Sequence, residues 1–344
     1  MPQNLYFEIP VEPRYNPNHD YAERHNLDWL RAHHMLTTRR AEQMYLGWQI
    51  ADLAARCWPD AHAEDLCLTV DLKSFYFLFD DQFDGPQGKD PSHVARICQK
   101  LIEVVHRDTA ADSKAAPVVS AFADLWARSR DGMTTSWIAR TSHDWERYFA
   151  SYPYEAIGRH AGTIPDLDDY MVIRRGSAAT ESVTDMVERL NRIELPPIVF
   201  HGPQIRLMRE IAADVPFICN DVFSYEKERG RGDVYNLVAV LCHGRQLSVE
   251  EAVGYIRTMV AARVSRFFQL RLQIPQILQG LDIAAADRAT VTRYAEGLGD
   301  WLRGHNDWMS STVRYRPAGA PPADQPGYLD ELIKPSLDSR VQNQ

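Results

Sequence analysis

Phe75-Tyr76-Phe77-Leu78-Phe79-Asp80-Asp81-Gln82-Phe83-Asp84-Gly85-Pro86 runs an aromatic segment straight into three carboxylates and then stops at Gly-Pro. The pattern predicts a helix that ends in an acidic cluster. The charge is placed against the helix dipole, because a helix C-terminus already carries roughly half a unit of negative charge. On an α-helix Asp80 and Asp84 would lie about 40° apart and about 6 Å along the axis, sharing a face that Asp81 flanks. Carboxylates grouped in this way are oxygen ligands for a hard divalent cation such as magnesium. An acidic surface turn gives the same short motif, but a solvated turn has no use for Phe75, Tyr76, Phe77 and Phe79 beneath it.

Outward from this stretch the signals are helical. Residues 1 to 20 hold Pro2, Pro10, Pro13 and Pro17 and read as an extended arm. Helical periodicity follows over 20 to 36, 44 to 57, 63 to 84, 91 to 107, 115 to 130 and 132 to 152. The stretch 166 to 187 reads as a helix interrupted at Gly176-Ser177-Ala178-Ala179, and further helices are expected over 203 to 228, 248 to 276 and 284 to 315. No alternating β-branched run bounded by hairpin turns occurs, so the fold class is all-α. No repeat and no long linker divides the chain; one domain is expected over 1 to 316, with 317 to 344, which carries five prolines, as a mobile tail.

At 344 residues, 45% apolar and 25% charged, the chain has the balance of a globular protein with room for a large core. A net charge of -9 argues against nucleic acid as a partner, and an anionic ligand would need metal ions to mediate. Five cysteines without a CxxC pair fit reduced thiols better than a disulfide framework or zinc site. The N-terminus lacks a basic-then-apolar segment and no long apolar run occurs, so a cytoplasmic protein without a membrane span is expected.

A second constellation lies in Asn220-Asp221-Val222-Phe223-Ser224-Tyr225-Glu226-Lys227-Glu228. Asn220, Ser224 and Glu228 form a line of oxygens on one helix face, stepping about 6 Å each. An amide, a hydroxyl and a carboxylate make a magnesium set when water or phosphate completes the octahedron. Asn and Ser compete with the backbone for hydrogen bonds and are poor mid-helix residues, so this line asks for a reason beyond an incidental polar face.

DDQFD at 80 to 84 together with NDVFSYEKE at 220 to 228 resembles the aspartate-rich and NSE motifs of class I terpene synthases, in particular the bacterial sesquiterpene cyclases. The start, Pro13-Arg14-Tyr15-Asn16-Pro17 leading to Trp29, is similar to that family's N-terminal arm. Arg174 stands where the family keeps its diphosphate-sensing arginine, and Arg314-Tyr315 matches its C-terminal RY pair. One departure is visible: the family often has Asp and Gly three and four residues beyond the sensor, where this chain has Ser177 and Ala178.

The resemblance implies a single-domain class I terpenoid synthase fold, with helices around a central cavity. It implies three Mg2+ ions with diphosphate bound, held by Asp80, Asp81 and Asp84 on one side and Asn220, Ser224 and Glu228 on the other. Arg174, Lys227, Arg314 and Tyr315 would donate to the diphosphate oxygens. The bland readings are a surface salt bridge for Arg174, a helix cap for Arg314 and Tyr315 and an exposed helix position for Lys227. A carbocation needs a dry aromatic contour; Tyr76 and Phe77, one turn below Asp80, are the first candidates and Trp308 the next. Lys73 projects to nearly the same face with no assigned role, unless helix curvature turns it aside. The expected reaction is ionisation and cyclisation of a prenyl diphosphate, farnesyl diphosphate foremost, with geranylgeranyl diphosphate as the alternative substrate. A chain-elongating prenyltransferase would carry a second aspartate-rich motif where this chain has NSE, and a non-catalytic metal-binding helical protein would not need Arg174, Arg314 and Tyr315 together. A homodimer is compatible with the sequence.

Overall fold

The computed structural model describes residues 6–83, 86–107, 115–230, 233, 235–315 and 332. Fourteen α-helices account for most of them: α1 His19–Ala32, α2 Arg39–Gly47, α3 Ile50–Cys57, α4 Ala63–Asp80, α5 Pro91–His106, α6 Pro117–Arg130, α7 Thr135–Ala161, α8 Leu167–Ser177, α9 Thr180–Leu190, α10 Pro197–Phe200, α11 Pro203–Gly230, α12 Leu237–Gly244, α13 Val249–Gly280 and α14 Ala285–Ser311. No strand occurs among the described residues. Many starts are set by side chains that accept from orphan backbone N–H groups. Thr38, Asp90, Thr134, Asp166 and Asn236 do so for α2, α5, α7, α8 and α12, and Ser248 with Glu251 closes a capping box on α13.

The helices pack around a cavity. Helix α4 is central: 14 of its 18 residues are buried, as expected of a helix covered on every side. It packs against α1, α3, α6 and α9, while α11 packs against α9, α13 and α14. Helix α13 is peripheral and buries one stripe, Ala252, Ile256, Val260, Val264, Phe267, Leu270 and Ile274, at helical spacing. Helices α3 and α14 approach so closely at Gly304 that a Cβ there would stand 2.6 Å from the Arg56 backbone. The N-terminal arm is pinned over this pair: Asn306 donates to the Phe7 carbonyl at 2.9 Å and Arg303 to that of Val11 at 2.7 Å.

The aromatic run of α4 divides between two jobs. Phe75 and Phe79, stacked at 5.6 Å, face Phe122, Trp145 and Phe149 of α6 and α7 in a closed ring cluster. Tyr76 and Phe77 turn toward the cavity.

Several boundaries differ from the periodicity. The stretch 44 to 57 is two helices, broken where Gln49 takes a left-handed φ of 58°. The break frees the Trp48 carbonyl, which accepts from Trp308 Nε1 and Thr312 Oγ1, both at 2.9 Å, so a distant contact stabilises it. Helix α7 runs through Pro153 instead of ending before it, its flanks held by Phe149 and Tyr152 in the core. The α-helix ends at Asp80 and passes into a 3-10 turn, Asp81–Phe83, so the helical spacing expected over 80 to 84 does not hold. Asp84 lies outside the described residues, as does all of 317 to 344 except Leu332.

Candidate active site

Four helix faces, one helix break and a 3-10 turn line the cavity between α4 and α11. Helix α4 contributes Lys73, Tyr76, Phe77 and Asp80, a single stripe at i, i+3, i+4 and i+7. Helix α11 contributes Pro216, Phe217, Asn220, Ser224, Lys227 and Glu228 from a matching stripe. Tyr148 and Tyr152 come from α7, Trp301 and His305 from α14, and Arg314 and Tyr315 from the 3-10 turn after it. The break between α8 and α9 completes the wall with Arg174, Ser177, Ala178, Ala179 and Thr180. Ala179 sits there at φ 59°, a left-handed conformation that costs a residue with a Cβ energy.

The cavity is polar at one end and aromatic at the other. Asn220 ties the polar end together: its amide donates to Tyr315 Oη at 2.6 Å, and its carbonyl oxygen accepts from Arg174 at 3.3 Å. Arg174 also donates to the buried Asp221 at 3.3 Å. Asp221 points away from the cavity, taking bonds from the Tyr170 hydroxyl and, at 3.0 Å, the Leu237 amide. Asp80 accepts from Tyr152 Oη at 3.1 Å. Burial, helped by Asp221 and Asp233, pushes the Glu228 carboxyl up to about 7, against a 2.8 Å bond from Asn236.

Arg314 is buried, and its two terminal nitrogens grip both oxygens of Asp81 at 3.0 and 2.6 Å. Its guanidinium lies over the rings of Trp48 and Phe77, at 4.2 and 4.7 Å. Lys227 Nζ approaches the same carboxylate at 3.8 Å. The Asp81 carboxylate thus serves as counter-ion to Arg314 and, unlike Asp80, does not line the cavity.

Trp308, expected as a lining ring, is not among the residues that line the cavity. It is wholly buried, its indole is committed to the Trp48 carbonyl, and its ring stands behind Phe77 and Tyr315, at 5.3 and 5.9 Å. The aromatic that α14 presents to the cavity is Trp301, about two turns earlier on the helix. Its position has a backbone cause. Pro216 has no N–H for the Ala212 carbonyl four residues back, and the Trp301 indole takes that carbonyl at 2.9 Å. Lys73 is not turned aside by curvature; it lines the cavity. Neither Trp301 nor His305 was legible as lining, although their spacing from one another, i and i+4, puts them on one face.

The residues fit a hard cation. Ser224 Oγ is buried with no hydrogen-bond partner, between an amide and a carboxylate on the same stripe, and a metal would use that lone pair. Among the described residues no group of three or more His, Cys, Asp or Glu is arranged to hold a metal. The oxygens are instead split, Asp80 on α4 and Asn220, Ser224 and Glu228 on α11, which suits ions whose coordination a bound phosphate completes.

Residues 71–266 match the family described as terpene synthase family 2, C-terminal metal binding. The (-)-beta-caryophyllene synthase of Saccharothrix espanaensis, which cyclises (2E,6E)-farnesyl diphosphate, is 35% identical over 334 residues, 96% of this chain and 94% of that protein. The pentalenene synthase of Streptomyces avermitilis is 34% identical over 96% of this chain and 99% of its own. Among solved structures, germacradien-4-ol synthase from Streptomyces citricolor superposes with a TM-score of 0.82 at 39% identity, over 91% of this chain and 100% of that one. With two stripes of oxygens facing each other over an aromatic cavity, and these matches along nearly its whole length, the chain belongs to terpene synthase family 2 and is a class I terpene synthase of the bacterial kind.

Proposed function

We propose that the protein ionises farnesyl diphosphate with the help of magnesium and cyclises the resulting cation to a sesquiterpene, releasing diphosphate. The observation that carries this reading is the unpartnered Ser224 Oγ, flanked by Asn220 and Glu228 on the cavity wall. When bound, magnesium ions supply Lewis-acid neutralisation of the charge that builds on the departing diphosphate. Asp80, Asn220, Ser224 and Glu228 would hold them.

Arg174, Lys227, Arg314 and Tyr315 gather at the same end and can turn their donors to diphosphate oxygens. Three of them rest on groups that a diphosphate would displace: Tyr315 Oη accepts from the Asn220 amide, and Arg314 and Lys227 face the Asp81 carboxylate. Tyr76, Phe77, Phe217 and Trp301 present an aromatic wall that favours a cation and excludes water. Tyr76 is fixed for this, stacked on Trp145 at 5.2 Å and bonded through its hydroxyl to Ser182 at 2.8 Å.

The test is incubation of the pure protein with geranyl, farnesyl or geranylgeranyl diphosphate, with magnesium or with chelator. Magnesium-dependent release of diphosphate and a cyclic fifteen-carbon product from farnesyl diphosphate is expected. Cyclisation of geranylgeranyl diphosphate alone would reassign the substrate, and chain elongation with isopentenyl diphosphate would reassign the reaction.

A further inference from the structure

The deep end of the cavity holds a base that the metal and diphosphate chemistry does not use. Lys73 stands seven residues before Asp80 on α4, about 10 Å from it along the helix axis. It is 5% exposed, and its Nζ lies 4.0 Å from the centre of the Trp301 ring, 5.3 Å from that of Trp58 and 5.6 Å from that of Tyr76. Ring faces stabilise an ammonium but neutralise no charge.

The ionisable neighbours do not neutralise it either. On α3, Cys57 is a buried thiol that burial keeps protonated. On α14, burial and Lys73 itself keep His305 neutral, with Nδ1 unpartnered. Asp300, earlier on α14, is committed to Arg14 at 3.2 Å. On α4 itself, Asp71 faces away toward Arg128 and His25, and Asp80 is at the far end of the cavity. Burial accordingly lowers the amine to about 7, with only Cys57 opposing.

We propose that the Lys73 amine is the base that ends the carbocation sequence, taking a proton from a carbon beside the last cationic centre at the deep end of the cavity. The inference rests on the prenyl diphosphate reading above. The C–H bond breaks, its electron pair becomes the new C=C bond, and the proton becomes an N–H of Lys73. The ammonium so formed is held by the faces of Trp301, Trp58 and Tyr76 and returns its proton to water once the product leaves. Two physical points favour this role. A hydrocarbon chain filling the cavity displaces water and drives the amine further toward its neutral form, so a lone pair is present when the cation arrives. The diphosphate end is also about two helical turns away, too far for its oxygens to reach a proton at the deep end.

The experiment compares wild type, Lys73→Met and Lys73→Arg with farnesyl diphosphate and magnesium, counting diphosphate released and each product formed. Methionine cannot accept a proton and arginine stays charged, while both keep a long stem in place. Wild type is expected to make a hydrocarbon, whose share per diphosphate released falls several-fold from about pH 8 to about pH 6 as the amine is protonated. In both variants that share is expected to drop about tenfold or more, with carbon passing to other isomers and alcohols, and the product ratio no longer to depend on pH. An alcohol as the main wild-type product, or an unchanged product ratio in the folded variants, overturns the proposal. Should neither variant fold, a wild-type product ratio that is flat with pH overturns it. Diphosphate release with an unaltered profile sinks this proposal alone; no release by wild type from any prenyl diphosphate sinks the proposed function with it.

Discussion

Asp81 and Arg314, 233 positions apart, form a buried two-point ion pair that ties the end of the aromatic helix α4 to the turn after α14. The pair holds a guanidinium over Phe77 at the polar end of the cavity, where it can be handed from a carboxylate to a diphosphate.

The pair separates the two neighbouring aspartates experimentally. Asp81→Asn leaves a buried guanidinium without its counter-ion, a loss of about 3 kcal/mol or more, readable by denaturant unfolding. Its turnover should fall through weaker substrate binding, with the magnesium dependence little changed. Asp80→Asn should do the reverse: a near-normal melt and a much higher magnesium requirement. Identical magnesium curves for the two variants would mean that the two carboxylates share one role.

Glu228 gives a stability prediction with a defined sign. Its carboxyl is raised to about 7 in the fold, whereas an unfolded glutamate titrates near about 4.3. The folded state therefore binds more protons across that window, and metal-free stability falls as pH rises from about 4.3 through about 7. Glu228→Gln removes this dependence. Without metal it should be more stable than wild type at about pH 8, by on the order of 2 kcal/mol once screening by cavity water is allowed for. Its activity should be lower by orders of magnitude. Thermal melts of both proteins across pH, with and without magnesium, check it; a wild type that gains stability with rising pH would refute it.

The helical class and the two stripes that line the cavity were legible because they depend on spacing along one helix: 73, 76, 77 and 80, then 220, 224, 227 and 228. What the sequence hid depends on distant partners. Asp81 looks like Asp80 until Arg314 arrives from the other end of the chain. Trp308 and Trp301 both sit on α14, and only the carbonyls of Trp48 and Ala212, which capture their indoles, decide which one faces the cavity. The break at Gln49 has no Pro to announce it, since its cause is again a contact with α14.

Arg174 is expected to matter for folding as well as turnover. It is the charged partner of the buried Asp221 and also bonds Asn220. Arg174→Ala should cost about 2 kcal/mol or more in unfolding free energy and abolish most diphosphate release; a melt unchanged from wild type would show that Tyr170 and the Leu237 amide satisfy Asp221 unaided.

Phe77 and Trp308 should separate by readout. Phe77→Ala removes a lining ring, so ionisation persists while products shift toward linear and early-quenched species. Trp308→Phe leaves the Trp48 carbonyl to Thr312 alone and should lower stability by about 1 kcal/mol with little change in product. A product shift as large in Trp308→Phe as in Phe77→Ala would put both rings on the same footing.

The Pro216 and Trp301 pairing predicts a coupling between two substitutions. Trp301→Phe removes the indole donor and leaves the Ala212 carbonyl unpaired inside the protein, a cost of about 1–3 kcal/mol beyond the lost ring area. Pro216→Ala alone introduces an N–H that competes with the indole for that carbonyl, so it should loosen Trp301 and broaden the product spectrum while changing stability little. In the double variant the new N–H at position 216 closes the α11 ladder that Pro216 interrupts. The double variant should therefore be more stable than the sum of the single changes allows, by about 1 kcal/mol or more. Urea unfolding of the four proteins measures this coupling. Strict additivity would mean that the Ala212 carbonyl finds another partner, and that Pro216 does not set the position of Trp301.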